Sequence, residues 1–398
     1  MDWVRGTAVA AALLLLAACG NPPVVTPIAS SSPSPEVTPS AVPSAPADFP
    51  SPTPGGPTPP ARAAVTCSSQ VPATASLALV KLRNTAGVIV RDITDLSKPV
   101  SRCVIAGSAA NFFKFVNATH ISYIVTSNDT GALYLVNLLT RTTSLVRAWT
   151  NEGSLYWVYS WSPDGKSLSY LRSNGDKVEW HLLSAAGDVK LSDLGSIPGR
   201  GVDPNSDDAM VGFSADGKYV ALENTFSNST GAAGQAPPFQ VIRISDKTLV
   251  YSRTAATMAV WRVVGATLYF RTTVGVEYWD AEHGSHVVVP QGFRWIHPWA
   301  SRDGKWIAYV DADSRGNHFP GYVSLAAEQA FRVSSRPATG AGFLNARLMW
   351  YAGETACRSQ CGLGEPKLNG KTYIYDVVAK TESASIITAL FDSWPHLP

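Results

Sequence analysis

The sequence predicts an all-β fold: a closed ring of seven four-stranded antiparallel blades, a β-propeller. Three observations predict it. First, one phrase recurs: Trp161-Ser-Pro-Asp164-Gly165-Lys166, Phe213-Ser-Ala-Asp216-Gly217-Lys218 and Ala300-Ser-Arg-Asp303-Gly304-Lys305, each followed by alternating apolar and small residues. Second, with four weaker copies at Leu77, Ile121, Leu268 and Leu348 beside the three full phrases at Leu168, Val220 and Ile307, the strand after the turn recurs at intervals of about 39 to 52 residues. That is the spacing of four-stranded propeller repeats. Third, the chain closes on Leu390-Phe391-Asp392-Ser393-Trp394, half of the phrase, while the first repeat lacks a first strand. The C-terminal strand is therefore expected to complete the first blade and leave the ring without an open end. Six or eight blades remain alternatives to seven.

The segments before the ring are read in chain order. Residues 1–18 form a signal peptide. Arg5 precedes an apolar run, Ala8–Ala18, too short to span a bilayer comfortably and suited to an h-region. The run ends in Leu16-Ala17-Ala18-Cys19-Gly20, which resembles the lipobox of bacterial lipoproteins; the resemblance implies that Cys19 carries a lipid. Residues 19–63 are that Cys and a Pro/Ser/Thr-rich tract with almost no apolar bulk to offset ordering entropy. Its prolines favour an extended tether, at about 3.1 Å per residue on the order of 100 Å long. Residues 64–398 are the propeller domain. The expected location is the extracytoplasmic side of a cell membrane.

Within the domain each element has a physical reason. The Asp of each phrase bonds backbone two residues on, and the Gly takes a positive φ at no steric cost. Asp164, Gly165, Asp216, Gly217, Asp303 and Gly304 are accordingly structural turn residues. The third strands fall at Leu133–Val136, Phe239–Ile244, Val276–Trp279 and Tyr373–Asp376, and outer strands at Ser144–Val146 and His286–Val289. Trp161, Phe213 and Trp261, near the ends of first strands, read as packing between blades. Four cysteines besides Cys19 suit an oxidising compartment, and four allow three connectivities. The favoured pairs are Cys67–Cys103, tying the start of the domain to its first sheet, and Cys357–Cys361, closing a short loop.

The Trp-Ser-Pro-Asp-Gly-Lys phrase with its following strand resembles the repeat of TolB-type propellers and, more distantly, WD-like repeats and the propeller domains of prolyl oligopeptidase-like enzymes. The resemblance covers about Ser76 to Pro395 and is strong in three blades. It implies architecture and carries no catalytic residue.

Function is less legible. Net charge is +2, charged residues are 16% of the chain, and no Lys/Arg run occurs, which argues against nucleic acid as partner. There is no Gly-x-Ser-x-Gly, no His-Glu-x-x-His and no phosphate-cradling loop. The seven His are scattered. Asp311 and Asp313, in Asp-Ala-Asp-Ser-Arg-Gly, carry part of a calcium-loop pattern, but Arg315 stands where an oxygen ligand belongs. They read as a hairpin turn, with calcium as the alternative; no cofactor is otherwise expected. Asp203, Asp207 and Asp208 read as a loop between blades. Two insertions, about 225–238 and 353–370, lie between second and third strands and so leave the ring on one face, where binding residues concentrate. The expected function is a lipid-anchored, monomeric binding or scaffold module with an envelope protein or glycan as partner. The alternatives are an exported hydrolase or lyase with its site in the channel, and an assembly part that docks envelope lipoproteins.

Overall fold

Seven sheets radiate as blades from seven innermost strands. The structure, a computed structural model, describes residues 56–394 apart from residue 73 and segments 83–85, 128–129, 151–158, 175–176, 197–210, 224–238, 254–256, 262–264, 291–295, 302, 314–316, 355–367, 386 and 388–389. Cys19, Cys357, Cys361, Asp203, Asp207 and Asp208 lie outside these residues, as does most of each insertion. No helix occurs among the described residues, hence none long and apolar enough to cross a membrane.

Blade 1 begins with β1 (Ala64–Cys67), β2 (Leu77–Lys81), β3 (Gly87–Asp92) and β4 (Val100–Ala106). Blade 2 is β5 (Ala110–Asn117), β6 (His120–Thr126), β7 (Thr130–Asn137) and β8 (Thr142–Thr150). Blade 3 is β9 (Tyr159–Trp161), β10 (Ser167–Asn174), β11 (Lys177–Ser184) and β12 (Gly187–Ser196). Blade 4 is β13 (Val211–Phe213), β14 (Tyr219–Glu223), β15 (Phe239–Arg243) and β16 (Thr248–Arg253). Blade 5 is β17 (Thr257–Trp261), β18 (Leu268–Thr272), β19 (Gly275–Asp280) and β20 (Gly284–Pro290). Blade 6 is β21 (Ile296–Ala300), β22 (Trp306–Ala312), β23 (His318–Ser324) and β24 (Gln329–Arg332). Blade 7 is β25 (Ala338–Phe343), β26 (Leu348–Glu354), β27 (Leu368–Asp376) and β28 (Thr381–Ser385). The last strand, β29 (Leu390–Trp394), returns to blade 1, whose order is β29-β2-β3-β4-β1.

Closure repeats the register of the tandem blades. Trp161 lies opposite Leu168, Phe213 opposite Val220, Trp261 opposite Leu268 and Ala300 opposite Ile307. Trp394 lies opposite Leu77 in the same way, so the terminal half-phrase completes the first repeat. All seven second strands contain or adjoin the residues chosen from the spacing. Inner strands touch around the ring, β9 with β13, β13 with β17, β17 with β21, β21 with β25, and β29 with β5.

The core is a chain of seams. Side chains alternate across a strand, so each blade buries one face against each neighbour. In β2, Leu77 and Leu79 enter the seam with blade 2, while Ala78 and Val80 enter the seam with blade 7. In β22, Ile307 and Tyr309 face blade 5, and Ala308 and Val310 face blade 7. The seam between blades 2 and 3 holds Trp161 and Tyr159, that between 3 and 4 Phe213 and Trp180, and that between 4 and 5 Phe239 and Phe270. Trp161 is 8% exposed, and its Nε1 donates to Ser122 Oγ of blade 2 at 2.9 Å. Trp261 Nε1 donates to the Gly212 carbonyl of blade 4 at 2.8 Å. These aromatics join blades, as the sequence reading expects.

The three Asp-Gly turns are near copies. Gly165, Gly217 and Gly304 have φ of 69°, 69° and 65°. In each, the amide of the following Lys donates to the Asp Oδ1, at 3.0, 3.1 and 3.1 Å. A serine completes the device. Ser162, Ser214 and Ser301 donate their hydroxyls to that Oδ1 at 2.6, 2.7 and 2.7 Å. Each accepts at the same Oγ the amide that opens the next strand, at 2.8, 3.0 and 3.0 Å. The turn carboxylates thus tie off backbone.

One strand departs from expectation. Ahead of the second strand at Leu77 stands β1, a fifth, outermost strand of blade 1 that the repeat pattern does not contain and that pairs with β4 alone. Cys67 lies directly opposite Cys103, and the two are disulfide-bonded. A cross-link over 36 positions restricts the unfolded chain by about 4 kcal/mol in the chain-entropy account. Contacts reach ahead of β1: the Ala63 amide donates to Tyr123 Oη at 3.0 Å, Tyr134 Oη donates to the Pro60 carbonyl at 2.5 Å, and Arg62 donates to the Thr143 carbonyl at 3.2 Å. Burial pushes the Tyr123 hydroxyl up to about 12, which keeps it neutral for this contact.

Gly217→Ala, with its left-handed φ, and Ser214→Ala, which strands the half-buried Tyr219 amide, are each expected to lower stability by about 1–2 kcal/mol in urea unfolding. Lys218→Ala, removing an exposed pair with Asp216, is expected to change it by less than about 0.5 kcal/mol.

Candidate functional site

The innermost strands line the ring axis, and their composition is the first constraint on chemistry there. Across all seven, acidic, basic or imidazole residues stand only at Lys114, His297 and Asp392. Lys114 donates to the Tyr159 carbonyl of blade 3 at 2.9 Å and sits 4.5 Å from that ring's centroid.

On β5, one residue breaks the backbone rules. Phe112 has φ 53°. The other non-glycine residues with positive φ, Arg141, Lys247, Glu328 and Lys380, each occupy the last turn position of a third-to-fourth-strand hairpin, where a left-handed residue is ordinary. Phe112 alone among the described non-glycine residues takes it within a strand. The β5–β6 register shifts between Asn111 and Lys114, so a bulge accommodates it. A left-handed aromatic costs about 1–3 kcal/mol, so its surroundings must impose it. They do: Tyr159, 2% exposed, donates its hydroxyl to the Phe112 carbonyl at 2.7 Å, and the next side chain, Phe113, is buried in the seam with blade 1. The outcome is an aromatic side chain 41% exposed on an innermost strand. It lies near the end where β6 passes to β7, the end of each blade from which second-to-third-strand connections leave. Both long insertions, between β14 and β15 and between β26 and β27, join the ring at that end.

The densest ionisable cluster lies elsewhere, on the outer strands of blades 2 and 3. His181 on β11 sits between two carboxylates, Nδ1 at 3.1 Å from Asp188 and Nε2 at 3.1 Å from Glu179. Asp188 also accepts from Tyr170 Oη at 2.6 Å and from Arg147 of blade 2 at 2.7 Å. Burial raises the Asp188 carboxyl, but the hydrogen bonds from His181 and Tyr170 and the Arg147 guanidinium outweigh it and hold the group well below the usual carboxylate range. Lys190 completes the group 3.7 Å from Glu179. These partners satisfy one another across the seam, and no Ser, Cys or Thr nucleophile joins the bonds described. A small cavity of about 10 Å³ beside it is lined by Leu133, Arg147, Trp149, Tyr159, Leu168 and Tyr170, room for one water at most. The arrangement fastens blades.

The sequence candidates separate in space. The Asp-Gly turns stand in different blades. Asp311 pairs with Arg332 at 3.1 Å, while Asp313 accepts from the Asn317 amide at 2.9 Å and its Nδ2 at 3.1 Å, closing a turn. No three His, Cys, Asp or Glu side chains among the described residues are arranged to hold a metal ion. Sequence reasoning missed Phe112, because a strained φ leaves no compositional trace. It also missed the His181 group, although Glu179 and His181, two apart on one strand face, were a usable signal.

No family model matches the chain, and no curated protein matches it. Solved structures do. A prolyl endopeptidase, one of two whose inter-domain dynamics were analysed together, superposes with a TM-score of 0.53 at 13% identity, covering 80% of this chain and 49% of that one. Oligogalacturonate lyase from Vibrio parahaemolyticus gives 0.50 at 11% identity, covering 81% and 86%. TolB from Acinetobacter baumannii gives 0.47 at 15% identity, covering 80% of this chain and 65%, just under two thirds, of TolB.

His120, 5% exposed, is held by burial down to about 4 and is neutral in the fold. The unfolded chain takes up a proton at the ordinary value of 6.5, so stability present above that pH falls as pH drops from about 6.5 to about 4. The slope for one proton is at most about 1.4 kcal/mol per pH unit. Urea unfolding from pH 7 to 4.5 is expected to show it, and His120→Gln to flatten it whatever its effect at pH 7. At identities this low the superpositions establish fold alone, and the chain is a seven-bladed β-propeller.

Proposed function

We propose that this chain is a lipid-anchored, extracytoplasmic propeller that binds an envelope protein or glycan on one face. The face is the end of the ring where the insertions near 225–238 and 353–370 attach. The observation that carries the reading is Phe112, an aromatic side chain presented at that end against the backbone's own preference. Natural chains retain such strain where a side chain is used, and an exposed aromatic supplies apolar area with little entropy to lose on contact. The leader supports export, with Leu16-Ala17-Ala18-Cys19 marking Cys19 for lipidation and the Pro-rich tract spacing the ring from the membrane. The Cys67–Cys103 bond suits the same compartment.

Phe112→Gly is the informative variant, because glycine accepts the left-handed φ without penalty. It is expected to leave the urea midpoint unchanged or higher, and to weaken capture of the partner from envelope extracts at least tenfold. Deleting residues 226–236 is expected to weaken capture as well. Unchanged capture by both variants, or turnover of a substrate by the purified ring, overturns the binding reading. Cys19→Ser is expected to move the protein from the membrane fraction to the soluble exported fraction; retention in the membrane overturns the anchor.

A further inference from the structure

We infer that Pro60–Cys67 is a detachable strap, docked on blades 1 and 2 as an added strand and locked there by the Cys67–Cys103 disulfide. The inference is independent of the lipid anchor. Its first ground is topological. Six blades are complete with four strands, and blade 1 is complete as β29-β2-β3-β4 before β1 is counted. The ring therefore closes without β1. The added strand is held as strand addition holds a peptide, by backbone pairing to an open edge with alternate side chains turned inward. Its register runs from Ala64 opposite Ala106 to Cys67 opposite Cys103. Ala64 and Thr66 are exposed, while Val65 and Cys67 are half-buried against the blade.

The second ground is how the lead-in is gripped. Its contacts come from blade 2: Tyr123 Oη takes the Ala63 amide, Tyr134 Oη holds the Pro60 carbonyl, and the Thr143 carbonyl takes Arg62. Tyr123 stacks between Phe113 and Tyr134, so a rigid aromatic wall presents both hydroxyls. A segment built as Pro-Pro-Ala-Arg-Ala-Ala-Val suits such a wall, extended and with small side chains.

The third ground is the lock. A four-residue strand paired on one side is a marginal element. The disulfide stands at its last residue, and beyond it Ser68 still bonds to the Arg102 and Ser101 carbonyls. Cys67 is the half-buried residue of the pair and Cys103 is 1% exposed, so a reductant approaches from the Cys67 side. The thiolate of a dithiol reductant attacks Cys67 Sγ, the S–S bond breaks, and Cys103 leaves and takes up a proton. The reductant's second thiol then attacks the mixed disulfide and frees Cys67. Two electrons and two protons pass to the protein, and the reductant becomes a cyclic disulfide. Release frees residues 56–67, about 35 Å of extended chain at about 3.1 Å per residue. It also uncovers β4 as a pairing edge.

The test is hydrogen exchange by mass spectrometry on the full chain in three states: oxidised, reduced with dithiothreitol, and Cys67→Ala/Cys103→Ala. In the last two, residues 60–67 are expected to exchange at least tenfold faster, together with the β4 amides that pair with β1. Strands β2, β3 and β29 are expected to keep their protection, and removal of the dithiol to restore the oxidised pattern. Unchanged exchange at 60–67 in both states shows that the disulfide is no lock and overturns the inference. Loss of protection across β2, β3 and β29 in the reduced wild type shows that β1 is integral to the blade, and overturns it equally. Should the double variant fail to fold, the reduced wild type decides alone.

Discussion

Every blade of this ring depends on its neighbours for burial. A twisted four-stranded sheet has two faces, and here both are apolar, so an isolated blade would leave one face in water. The seams resolve this only if they run all the way round. The pairing of β29 with β2 is therefore the constraint on which the rest hangs. It places Trp394 where Trp161 stands in blade 3, and brings blade 7 against blade 1 through Ala78, Val80 and Trp350. The charged network of Arg147, Asp188 and His181 and the Trp161–Ser122 bond add polar fixings to seams that apolar burial already joins.

This division between ring and fixings explains what was legible in the sequence. Strand alternation and Asp-Gly turns are local, so period and composition reveal them. The anchors at Leu77, Ile121, Leu168, Val220, Leu268, Ile307 and Leu348 all fall on second strands or at their first residues. Even closure was legible, because Asp392-Ser393-Trp394 repeats a phrase with a known partner. β1 was not. Four residues with no turn signal and an exposed outer face carry too little pattern, and their pairing is decided by Cys103, far along the chain. The Cys67–Cys103 pair itself was among the favoured connectivities.

The site was harder, for a physical reason. Ser162, Ser214 and Ser301 were visible in the phrase but silent, since a buried serine that closes a turn and one that faces solvent share a letter. Asp311 and Asp313 resembled ligands because oxygen-rich turns and oxygen-rich metal loops draw on the same residues; Arg332 and Asn317, which satisfy them, lie outside the motif. Phe112 is the opposite case. Nothing about a Phe in an apolar strand is unusual until its φ is known, and only the grip of Tyr159 on its carbonyl makes the conformation intelligible.

The same closure orders the events of folding. Leu77 belongs to the first blade, yet its partner on the axis side is Trp394. Antiparallel hairpins within blades 2 to 7 form from neighbouring residues, on microsecond timescales in isolation. The β2–β29 contact instead spans more than three hundred residues and cannot form until residue 394 has emerged. Throughout synthesis, β2 keeps an open edge and blade 1 an unburied face. The nascent chain is thus most exposed to wrong pairing at its oldest blade, not its newest.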